Sequence, residues 1–109
     1  KTDIGSGEVW NGLARLRRII ELRLRKLGAS RGFKERHLRS AGQALRILAD
    51  REYVPEGAVS LLQYAIRICN QGVHGDPVST EESLAALSAA IKGLELLERG
   101  ESPPADPDA

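Results

Sequence analysis

One cysteine, Cys69, stands in the 109 residues, so no intramolecular disulfide can form. Two histidines, His37 and His74, complete the supply of soft metal ligands, too few for a zinc set, and no metal or other cofactor is expected. Aromatic residues are scarce at 4%, while Leu, Ala, Arg and Glu dominate, a mixture that favours helices over sheets. No apolar run approaches the length of a membrane span, and no signal-peptide pattern opens the chain. Gly-rich phosphate loops, paired cysteines and zinc-binding HExxH helices are all missing, which sets those chemistries aside. The first residue is Lys1, so a processed or partial chain is expected. Its location is read as cytoplasmic, either free or as the soluble part of a larger or membrane-attached protein.

Net charge is only +1, but it is unevenly spread. Residues 1–52 hold thirteen Lys and Arg against six Asp and Glu; residues 53–109 hold three against nine. A basic half beside an acidic half suits an anionic partner, self-association, or both. The length supports one domain with its own core.

Residues 1–7 read as a flexible lead-in. A long first helix is predicted from about Glu8 to Leu27, with Leu13, Leu16, Ile20, Leu24 and Leu27 as its core stripe, Trp10 near its start and Gly28 and Ser30 as its stop. Glu21 is spaced to pair with Arg17 and Arg25. Ile19 and Leu22 fall off the stripe and, with Arg18, suggest a dimer contact. Residues 28–39 form a basic connection in which Arg31, Lys34, Arg36 and Arg39 are candidate nucleic-acid contacts and His37 is a solvated side chain.

Ser40 and Gln43 have capping-box spacing before a second helix whose inward residues are Ala41, Leu45, Leu48 and Ala49. Pro55 suits the first turn of a third helix. Ser79 and Glu82 form a second capping box, and a fourth helix should bury Leu84, Leu87, Ile91, Leu94 and Leu97 before Gly100 closes it. The Pro-rich acidic tail, 100–109, is expected to be disordered. Four helices with short connections predict an all-α, antiparallel four-helix bundle over residues 8–99.

The third helix carries the most information. Val59, Leu62, Ile66, Cys69 and Val73 share one face. Arg67, Asn70 and His74, at i, i+3 and i+7, lie along another, and Gly75 follows where helices commonly end. Arginine keeps its charge and offers a planar fork to phosphate oxygens; histidine is the side chain best suited to proton transfer near neutral pH. About 10 Å of helix separates the backbones of Arg67 and His74, a gap the long arginine side chain can narrow.

The run Arg-Ile-Cys-Asn-Gln-Gly-Val-His-Gly at 67–75, followed by a capped fourth helix, resembles the HEPN superfamily, in particular HEPN-like domains of uncharacterised bacterial proteins. The resemblance covers residues 8–99. It implies an all-α bundle that dimerises and a role near RNA, many members being metal-independent endoribonucleases and others having lost activity. His74 matches the family histidine and Asn70 its polar companion. Arg67 matches only the longest spacing of the family arginine, which more commonly stands directly before the asparagine, where this chain has Cys69. The resemblance thus implies a catalytic set of Arg67, Asn70 and His74 acting on RNA from a homodimer, without metal. A non-catalytic dimerisation or adaptor module of a larger bacterial protein is the alternative.

Overall fold

A computed structural model describes the backbone of residues 2–101 and the side chains of residues 11–100. Helix α1 spans Thr2–Ser30, α2 spans Ala41–Asp50, α3 spans Glu56–Val73 and α4 spans Thr80–Glu101, with one 3-10 turn at Glu35–His37. Among the described residues there is no strand, and the chain is an all-α helical bundle. None of these helices is long and apolar enough to cross a membrane.

Neighbour contacts fix the layout. Leu13 of α1 lies against Gly72 and Arg17 bonds to Asn70, so α1 and α3 run antiparallel. Leu62 abuts Gly93, Leu96 abuts Gly57 and Pro55 abuts Gly100, so α3 and α4 are antiparallel too. Gly42 of α2 faces Ile66. Helix α3 is therefore the shared wall, with α1, α2 and α4 packed around it. The connection after α1 folds back along that helix, held by Arg25, whose guanidinium donates to the carbonyls of Leu38 and Arg39 at 2.9 Å each.

The core stripe of α1 is as periodicity predicts: Leu13, Leu16, Ile20, Leu24 and Leu27 are all buried. Its ends differ. Helix geometry begins at Thr2, inside the expected lead-in, because Gly5 and Gly7 lower helix stability by only about 1 kcal/mol each and do not break the ladder. At the other end α1 passes through Gly28, which is not a stop. A Cβ there would strike the Leu38 side chain, so the glycine serves close packing, and the left-handed residue that turns the chain is Gly32, φ +90°. The place given to Trp10 lies outside the described side chains, and residues 102–109 of the expected tail lie outside the described residues altogether.

Helix α4 corrects the prediction most. Leu84, Leu87 and Ile91 are 61%, 44% and 50% exposed. Leu97 is buried as expected and Leu94 half-buried, but the rest of the buried face is Ala86, Ala89, Ala90 and Gly93. A Cβ on Gly93 would stand 2.8 Å from Leu62, so small residues are what let α4 approach α3. Gly100 does not close this helix, which continues to Glu101. Both capping predictions have structural counterparts: Ser40 Oγ accepts from the Gln43 amide at 3.1 Å. At α4, Ser79 Oγ accepts from the Glu82 amide and Glu82 Oε1 from the Ser79 amide, each at 3.0 Å.

Candidate functional site

The end of α3 is built by two features. Gly75 takes φ +86°, its amide donates to Gly72 O at 3.1 Å, and the Asp76 amide donates to Gln71 O at 2.8 Å. This paired 5→2 and 6→1 bonding stops the helix and fixes the backbone at His74. One turn earlier Gly72 is buried, and a Cβ on it would collide with Leu13. The missing side chain lets α1 come close beneath the end of α3, within reach of Asn70.

Arg67, Asn70 and His74 line one cleft of about 440 Å³ between α3 and α2, together with Gln63, Gln71, Arg46 and Asp76. The three residues chosen from their spacing are thus brought to a common space. Arg67 and His74 are exposed and Asn70 is half-buried. Arg67 lies over the Tyr64 ring, 5.3 Å from its centroid, a cation–π contact that leaves its edge free for an anion. It has no carboxylate partner among the described residues. The Asn70 oxygen accepts from Arg17 Nη1 at 3.2 Å, which leaves the amide N–H donors available to the cleft.

Two cations here were missed by sequence reasoning. Arg46 enters from α2 and faces Arg67 across the cleft, while Arg17 comes from α1, fifty-three residues away from the side chain it holds. Neither carries a local motif. Their only sequence signal is position: Arg46 directly follows the buried Leu45, and Arg17 directly follows the buried Leu16. Glu21 pairs with Arg25 at 2.8 Å as expected, but its second partner is Arg18 at 3.5 Å, because Arg17 is turned toward Asn70.

Cys69 faces away from the cleft and is completely buried. Burial pushes its thiol up from 9.0 to about 11, with the nearby Arg17 charge acting in the opposite direction. It is a core residue and a poor nucleophile. The guanidinium beside Asn70 is supplied by Arg17, from another helix.

The basic connection divides. Arg36 and Arg39 line a hollow with Phe33 and Arg51, and Arg39 also reaches the α1–α2 side of the cleft region. Arg31 lies over the Tyr53 ring at 4.7 Å and Lys34 is exposed, neither of them lining the cleft. His37 is exposed, with Nδ1 accepting a long 3.4 Å bond from the Lys34 amide. Arg18, Ile19 and Leu22 are exposed on α1. Helical geometry puts Ile19 and Leu22 about 140–160° around the axis from Arg17, on the side away from the cleft.

The assembled cleft presents two guanidiniums, three side-chain amides and an imidazole, against the single carboxylate of Asp76. Guanidinium forks and amide N–H donors are chemically suited to an anion such as phosphate, and an imidazole to carrying one proton. Comparison with protein-family models, curated proteins and solved structures finds no match to the chain.

Proposed function

We propose that the chain is a HEPN-like, RNA-associated domain whose α2–α3 cleft takes a phosphate of the RNA backbone. The observation that carries this is the convergence of Arg67, Asn70 and His74 on one cleft, opposite Arg46. In its catalytic form the reading is a metal-independent endoribonuclease. His74 takes the proton of the ribose 2′-hydroxyl, and the 2′-oxygen forms its bond to phosphorus. The bond to the 5′-oxygen breaks, that oxygen taking a proton from water. Arg46 and Arg67 stabilise the charge that builds on the phosphoryl oxygens, the role in which fixed cations contribute most.

The proposal includes a cytoplasmic homodimer through Arg18, Ile19 and Leu22. That contact lies away from Arg17 on α1 and would leave each cleft complete within its own protomer. Incubation of RNA with the protein in EDTA, beside His74→Ala and Arg67→Ala, tests the catalytic form. Cleavage by the parent, lost in both folded variants, is the expected result. Equal cleavage by all three, or none by any, overturns it.

One observation favours the adaptor reading: Leu84, Leu87 and Ile91 form an exposed apolar row on α4. An adaptor would bind a protein partner through that row and be indifferent to His74.

A further inference from the structure

The cleft beside His74 does not end at Asn70. A second hollow of about 390 Å³, between α1 and the start of α2, is lined by Arg17, Arg39 and Arg46 among others, and shares Gly42, Arg46 and Asn70 with the first. The two are adjoining parts of one groove. We infer that this second hollow is an anion subsite, in which Arg17, Arg39 and Arg46 hold a phosphate flanking the one at Arg67. The ligand of the whole groove is therefore a single-stranded oligonucleotide and not a mononucleotide.

Charge accounting supports the assignment. Glu21 is the one carboxylate in the wall, and it is engaged by Arg25 at 2.8 Å and Arg18 at 3.5 Å. None of Arg17, Arg39 and Arg46 has a carboxylate partner among the described residues. Arg17 is bonded to the neutral oxygen of Asn70, and Arg39 Nε only to the Arg36 carbonyl at a long 3.4 Å. Three guanidiniums converging on one hollow repel each other, and a bound anion reverses that repulsion. Their planar forks match phosphate oxygens, and each hollow is of a size to take one small ligand. Asn70 connects the two parts: its oxygen is held by the second, and its N–H groups serve the first. A strand crossing from one to the other places successive phosphates on either side of it.

The inference rests on the reading of the α2–α3 cleft as a phosphate site, and the test separates the two. Binding of uridine 3′-monophosphate and of a uridine hexamer is measured by calorimetry, for the parent, Arg67→Gln, Arg39→Gln and Arg17→Gln. The hexamer should bind the parent at least about tenfold more tightly than the mononucleotide, as an added charge-assisted contact implies. Arg39→Gln and Arg17→Gln should shrink that ratio by about three- to tenfold and reduce the salt slope of hexamer binding by about 0.7. Arg67→Gln should weaken both ligands together. An unchanged ratio in Arg39→Gln and Arg17→Gln, with Arg67→Gln still weakening both ligands, overturns the subsite and leaves the cleft standing. Failure of the parent to bind either ligand overturns both.

Discussion

Raising the pH above 9 should destabilise this protein through one buried thiol. Cys69 is fully enclosed by the core, and its ionisation lies at about 11, against 9.0 for an ordinary thiol. Between those values the unfolded chain loses a proton that the folded chain keeps, so stability falls as pH rises. It is fully present below pH 9 and decreases by about 1.4 kcal/mol per pH unit, to a total of up to about 3 kcal/mol. Arg17 opposes the shift, so Arg17→Gln should move the thiol higher and widen the window. The assay is urea unfolding from pH 7.5 to 10.5 for the parent and Cys69→Ala. Tyrosine and lysine titrations are common to both proteins and cancel in the difference. The alanine variant starts lower because it leaves a cavity, but the gap should close as pH rises. Two stability curves that stay parallel through this range would refute the burial assigned to Cys69, and with it the helix phase that turns Arg67, Asn70 and His74 toward the cleft.

Four further outcomes follow from the packing and the helix ends. Leu84→Gln should cost less than about 1 kcal/mol, because less than half of that side chain is covered and Gln is a comparable helix former; urea unfolding measures it. Leu97→Ala, at a position with no exposure, should cost about 2–5 kcal/mol in the same assay. Ser79→Ala removes one side of the reciprocal cap on α4 and should cost about 1 kcal/mol by thermal unfolding. Glu52 ends α2 at φ 61°, a conformation that suits glycine, so Glu52→Gly should raise stability by up to about 1 kcal/mol.

The bundle was legible where one apolar face dominated a helix. In α1 the five stripe residues are large and their period leaves a single solution, and all five are buried. Helix α4 offers two faces, a large one at Leu84, Leu87 and Ile91 and a small one at Ala86, Ala89, Ala90 and Gly93. Hydropathy ranks the large residues higher, whereas close approach to α3 selects the small ones, and packing decides. Gly28 and Gly72 misled or went unread for the same reason: each is small because Leu38 or Leu13 occupies the space of its side chain. Arg67, Asn70 and His74 share one helix, and their spacing alone was enough to put them on one face, where they line one cleft. Arg17 and Arg46 come from other helices, and no local pattern in one sequence shows which distant arginine meets Asn70.

The central claim is that the groove around Asn70 is where this molecule meets an anion. Titration of the isotope-labelled protein with a short single-stranded RNA, followed by amide and side-chain NMR shifts, tests it most directly. The shifts should concentrate at Gly42, Arg46, Arg67, Asn70 and His74, with the α4 row at Leu84, Leu87 and Ile91 silent. Shifts confined to that row, or to Arg31 and Lys34 with the groove unmoved, would contradict the account.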